Sequence, residues 1–506
     1  MQMPQPRQYF FAPALLLLAI GLGVLPLLWF SVAQGGRPNF DAHIWRILGF
    51  TLLQASLSTL ISIVLAIPVA RALVRQQLSG LGLLRMVFAV PLSLPVIVAV
   101  LGITTIYGNS GLLGGVLPIY GLSGIMLAHV FFNLPLAARL LADALENVPP
   151  ESHRLAAQLN FNDWQVWRHV DWPVLRPLLP RLAALVFLLC AASFVIVLTL
   201  GGPSATTLEV AIYHALRLDF DVSRALTLSM VQVALSALLV WGAGRLAYAS
   251  PLLPTFRQTG ERLDGKRGAT RLLDFTALGI AACIVLPPLV AVVVAGIMQV
   301  QITWALLQAL ATSMTLGCAS SLLVLSLAWP LAQLQNRGGK AGLLSQFCGI
   351  AGLIVPPAVM ATGWFLAVRT LNGGPWLAAF LVICLNALMA LPFVMTTLAP
   401  AVMRSHAMHD KLCLSFGIGG WDRFRTIDFP VLRPVIGQAL LMGFVLSLGD
   451  LTAITLLGNG GLVTLPSLVA QQMGNYRSAA AGGTALLLAA LCFSLTFLAH
   501  RLGERR

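Results

Sequence analysis

Glu151–Pro177 reads ESHRLAAQLNFNDWQVWRHVDWPVLRP, and His409–Pro434 reads HDKLCLSFGIGGWDRFRTIDFPVLRP. Both are charged, amphipathic islands in a chain that is otherwise mostly apolar, and they close on DWPVLRP and DFPVLRP. Aligned without a gap at an offset of 257, Arg154–Pro177 and Lys411–Pro434 are identical at nine of 24 positions. Average composition gives about two by chance. The same offset pairs Leu134-Pro135 with Leu391-Pro392 and Leu200-Gly201 with Leu457-Gly458, and an offset of 261 pairs Pro95 and Gly102 with Pro356 and Gly363. These matches define a tandem duplication: a first half over 1–248, a linker over 249–271 and a second half over 272–506. The islands occupy 151–177 and 408–434, one per half.

Around the islands, the 506 residues are 58% hydrophobic and 9% charged, with a mean hydropathy of +0.88. Soluble domains average about 25% charged residues. Apolar runs long enough to cross a bilayer core as helix lie near 10–32, 50–70, 85–107, 122–144, 179–200 and 225–248. In the second half they lie near 272–297, 304–333, 346–368, 376–398, 436–457 and 479–500. This patterning predicts an all-α polytopic membrane protein of about 12 transmembrane helices. Phe10–Phe30 is too long for the apolar core of a secretory signal and has no small-x-small cleavage site before Pro38, so it is read as a retained first helix. With the N-terminus inside, only Arg37, Arg46, Arg217, Arg224, Arg369 and Arg477 fall outside, leaving 25 of the 31 basic residues on the cytoplasmic side. Each half then begins and ends inside, which makes the repeats parallel, related by an axis along the membrane normal. The net charge of +14 follows from this asymmetry and needs no nucleic acid partner. The seven cysteines are odd in number and lie in apolar runs or in the second island, as small buried residues rather than a disulfide framework.

In the first island Leu155 and Leu159, spaced i and i+4, form an apolar ridge flanked by Ala156 and Ala157. Asn160 follows, a residue that accepts the left-handed turn ending a helix. The second island repeats the design with Leu412 and Phe416, Cys413 as the small residue and Gly417 at the turn. Trp164 and Trp421 come next, then Arg168 and Arg425, and Pro173 and Pro430 start the return to the membrane. Such a ridge on a polar loop either lies on lipid headgroups or docks into a groove of a partner. Two copies at equivalent positions favour a two-fold symmetric partner. The linker stretch Gly260–Arg267 fits a phosphate-binding loop except at its last position, where Arg267 replaces the hydroxyl that would ligand magnesium, and no strand precedes it.

On these residues the islands resemble the EAA loops of membrane permeases of bacterial ABC importers with the type I, MetI-like fold. The resemblance implies that each loop docks into a cleft of a separate cytoplasmic ABC ATPase, two copies in all. ATP and magnesium are then used by that partner, and this chain binds no cofactor and is not an enzyme. The implied docking residues are Arg154, Leu155, Ala156, Leu159, Asn160 and Trp164 in one loop and Lys411, Leu412, Cys413, Phe416, Gly417 and Trp421 in the other. Arg154 and Lys411 stand at the acidic position that names the motif, so the contact is either steric or made with a more acidic groove. Fusion of two halves in one chain resembles the ferric-iron and thiamine permeases. Tyr120–Pro149, Ala192–Asp221 and Thr464–Phe493 are most similar to thiamine/thiamine pyrophosphate permeases of enteric-type bacteria. The implied setting is the bacterial inner membrane, both termini cytoplasmic, with a periplasmic thiamine-binding protein delivering cargo. A ferric-iron permease is the alternative within the class. An ion-coupled secondary transporter needs no matched docking loops and usually carries more buried charge than Asp450. No His-Glu-x-x-His motif or paired-carboxylate site suggests an intramembrane enzyme.

Three residues are candidates for the translocation path. Asp450, in LSLGDLTAITLLG, either meets a cationic thiazolium ring or makes a structural hydrogen bond. Its repeat counterpart is Ser193, and His129 in LAHVFFN is either on the path or bonded between helices. Pro95, Pro135, Pro356, Pro357 and Pro392 are either moving bends or fixed kinks. Segments 201–223 and 458–478 follow the fifth helix of each half, and three readings stand for them: binding-protein contacts, a re-entrant plug or solvated loops.

Overall fold

Runs of Leu, Val, Ile and Ala offer backbone groups no partner but each other, so each run becomes a helix. The computed structural model describes residues 7–33, 41–76, 81–109, 111–115, 118–202, 205–246, 268–368, 375–458 and 461–504. The expected linker up to residue 267, its phosphate-loop-like stretch, Arg37 and Arg369 lie outside the described residues. In the first half the helices are α1 (Phe11–Ala33), α2 (Ala42–Arg75), α3 (Leu81–Ser93), α4 (Val96–Tyr107), α5 (Leu122–Glu146) and α6 (Pro150–Gln158). They continue with α7 (Asp163–Val166), α8 (Trp172–Leu175), α9 (Leu179–Ala191), α10 (Phe194–Leu200), α11 (Leu208–Arg217) and α12 (Val222–Leu246). The second half has α13 (Gly268–Gly296), α14 (Trp304–Arg337), α15 (Gly339–Ile354), α16 (Pro357–Val368) and α17 (Pro375–Phe416). After these come α18 (Gly420–Arg423), α19 (Phe429–Leu448), α20 (Thr452–Leu457), α21 (Leu465–Gly474) and α22 (Ser478–Glu504).

Eight of the described helices are long and apolar enough to cross a membrane, and three bent pairs raise the number to as many as eleven. The expected straight spans 85–107 and 346–368 are broken, the second by 91° between α15 and α16. Pro95 and Pro356 sit at the two breaks, whereas Pro135 and Pro392 lie inside continuous helices. The runs 179–200 and 436–457 are also interrupted, at Ala192-Ser193 and Gly449–Leu451.

Equivalent residues do equivalent work in the two sets. Asp41 and Thr303, 262 apart, cap α2 and α14 by accepting the Ile44 and Leu306 amides at 2.9 and 3.2 Å. α2 packs on α5 and α9, as α14 packs on α17 and α19. The first helix of each half, however, packs on the other half: α1 lies on α16, and α13 on α4. Gly102 of α4 and Gly363 of α16 mark these crossings. A methyl at Gly102 would strike the Pro288 carbonyl, and one at Gly363 the Gly23 carbonyl. The Trp364 indole also donates to the Ala19 carbonyl at 3.0 Å. One apolar cluster runs through both halves, including Ile97, Val98, Val359 and Leu391, and a second, with Phe131, Leu134 and Leu175, packs the first half against α13.

Candidate functional site

Pro149 and Pro150 stop α5 and start α6, because Pro fits a first helical turn but not an interior one. Asn160 then takes φ +54°, and the Phe161 amide returns to the Ala156 carbonyl at 3.0 Å to close the helix. Asn162 and Gln165 exchange reciprocal hydrogen bonds of 2.8 Å and start α7. In the second half the equivalent residues Arg404–Met408 contain no Pro, and α17 runs unbroken for 42 residues into the loop. The short helix expected there is therefore the end of a long one. Gly417 ends it at φ +66°, with the Ile418 amide on the Cys413 carbonyl at 2.9 Å.

Both loops leave the same ridge uncovered. Leu155, Leu159 and Trp164 are 56, 58 and 62% exposed, and Leu412, Phe416 and Trp421 are 50, 72 and 70% exposed. Ala156 and Cys413 are buried beneath them, and Arg154 and Lys411 are exposed. Each small residue is thus turned inward while the large side chains of the ridge stay exposed.

Beneath each ridge the chain makes one π-helical turn, Trp167–Asp171 and Phe424–Asp428. Asp171 and Asp428 end these turns and are buried. Asp171 is paired with Arg71 of α2 at 2.9 Å, and Arg71 also lies 4.8 Å from the Trp167 ring centre. Asp428 is paired instead with Arg423 of its own loop at 3.3 Å. Arg423 also reaches Asp410 at 2.7 Å, and Asp410 is linked through His406 to Gln333 of α14. Gln333 is the counterpart of Arg71, and Val166 that of Arg423. Sequence reasoning did not single out the two aspartates, although their identity in both islands was the available signal.

The path candidates occupy a second layer. Ser193 follows the end of α9, and His129 of α5 bridges it at 2.8 Å and Ser58 of α2 at 2.9 Å. At the equivalent place Asn386 donates to Ser447 at 2.8 Å, and Asp450 sits in the break before α20. Its two carboxylate oxygens accept the Thr452 and Ala453 amides at 3.1 and 2.9 Å. His129 and Ser193 are thus joined, and Asp450 is bonded to its own helix.

Among the described residues, the segments following α10 and α20 are helical over Leu208–Arg217 and Leu465–Gly474 rather than solvated loop throughout. They form α11 and α21, whose N-terminal residues Leu208 and Leu465 are buried and donate to Thr51 of α2 and Ser313 of α14 at 3.1 and 2.8 Å. Thr51 lies 20 residues from Arg71 along α2, which places this layer about 30 Å from the docking loops. At the far end of α11, Arg217 donates to the Leu456 carbonyl at 2.7 and 3.1 Å and the Gly458 carbonyl at 3.0 Å, both in the second half.

Crossed first helices, paired loops and a common core describe a two-fold pseudo-symmetric membrane permease. Residues 324–506 match the family of binding-protein-dependent transport system inner membrane components. The thiamine transport system permease proteins of Brucella melitensis and Escherichia coli are each 40% identical to this chain, over 96 and 97% of it and 93 and 95% of the relative. That of Haemophilus influenzae is 34% identical over 91% of this chain and 89% of its own. The chain belongs to this permease family, and it is a multi-pass inner-membrane protein.

Proposed function

We propose that this chain is the permease of an ATP-driven importer that moves thiamine and its phosphates from a periplasmic binding protein to the cytoplasm. The two exposed ridges at equivalent positions carry the mechanism: each is built to fill a groove in one of two ATPase copies. Near-full-length similarity to thiamine permeases supports the cargo. Both termini and both loops are cytoplasmic in this reading, consistent with the distribution of Lys and Arg. ATP is bound and hydrolysed by the partner. Closure of the ATPase dimer moves the loops; the Asp171–Arg71 pair passes that motion to α2, and the chain Arg423–Asp410–His406–Gln333 passes it to α14. The halves rock about their shared seam, with Ser193, His129 and Asp450 in the layer through which cargo moves. Labelled thiamine uptake in a strain lacking the gene tests the cargo. Complementation restores uptake if the reading holds; failure to restore it, with the ATPase and binding protein present, rules thiamine out.

A further inference from the structure

Glu209, in the first turn of α11, is fully buried. The Ala358 backbone amide at the start of α16 lies beside its carboxylate, and among the described residues no side chain donates to either oxygen. Burying a carboxylate with no charged partner is costly, so such a group is normally removed or given one. The other acidic and basic groups of this layer do not supply one. Asp450 is committed to the amides of α20, and Arg217, two turns along α11 and about 12 Å away, is held by the carbonyls of Leu456 and Gly458.

The position is also unsymmetric. Pro466 stands at the repeat counterpart of Glu209, so α21 carries no equivalent charge. α11 belongs to the first half and α16 to the second, so their contact lies on the seam between the halves. Opening that seam exposes one free carboxylate on one wall of the path. A cargo with a single fixed positive centre on an aromatic ring needs one such group.

Resting on the thiamine reading above, we infer that Glu209 is the specificity-determining residue that pairs with the cationic ring of the cargo as it crosses the seam. In the closed state the carboxylate is sealed against α16. In the open state it replaces part of the water that the cation leaves behind.

The test is labelled thiamine uptake by proteoliposomes containing the whole complex, with wild-type permease, Glu209→Gln or Glu209→Asp, alongside ATPase co-purification as the measure of assembly. Gln keeps the size and the acceptor, so a purely structural contact with the Ala358 amide survives it. The expected result is an uptake loss of about ten- to hundredfold for Glu209→Gln, a smaller loss for Glu209→Asp, and equal co-purification for all three. Equal uptake by wild type and Glu209→Gln overturns the inference. So does loss of assembly in both variants, which would make Glu209 a folding residue. A wild-type complex that assembles but moves no thiamine instead defeats the cargo reading on which the inference rests.

Discussion

Asp171 and Asp428 are the same residue in the same turn, yet Arg71 of a membrane helix neutralises one and Arg423 of the adjoining loop the other. The exchange is compensated, since Gln333 replaces the first arginine where Arg423 appears in place of Val166. Arg71→Gln takes the arginine from a buried carboxylate, and we expect a loss of about 1–3 kcal/mol, read as a fall in thermal stability of the solubilised complex. Adding Val166→Arg imitates the second half and restores much of it; no restoration would mean that the two loops are not interchangeable in design. Asp450 is a different case, because its carboxylate is satisfied locally. Asp450→Asn keeps one acceptor and is expected to cost about 1 kcal/mol while leaving thiamine uptake within about twofold. A tenfold loss would place Asp450 in direct contact with cargo. The aspartates were visible in the repeated motif, but their partners lie on other elements, and no local pattern reveals which arginine turns inward.

At the scale of elements, the turn after each docking ridge requires a left-handed residue, supplied by Asn160 and Gly417. Asn160→Gly is expected to keep ATPase binding, whereas Asn160→Val costs about 1–2 kcal/mol and weakens co-purification of the ATPase. Equal binding by the two variants would mean that the turn does not hold the ridge. Hydropathy located the membrane helices well, because the bilayer dictates their length and apolarity. It located breaks poorly. Pro95 and Pro356 accompany breaks while Pro135 and Pro392 ride inside continuous helices, so packing decides what the same residue does. The ten-residue helices α11 and α21 were hidden for another reason. They are too short for a span and contain Gln, Glu and Arg, so their burial comes from the helices around them rather than from their own composition.

For the whole molecule, the offset repeats foretold two like halves but not that their first helices would cross over. Gly102 and Gly363, matched within the duplication, mark the crossings of α4 with α13 and of α16 with α1. This arrangement ties the halves together, with Thr270 of α13 also bonded to Asp163 of the first loop, and leaves the ridge of each loop exposed to hold one ATPase. Two loops on one chain therefore fix a stoichiometry. Native mass spectrometry of the purified complex is predicted to find two ATPase subunits per permease for the wild type and none for Leu155→Asp combined with Leu412→Asp, with the permease still inserted. Two subunits retained by the double variant would contradict the account.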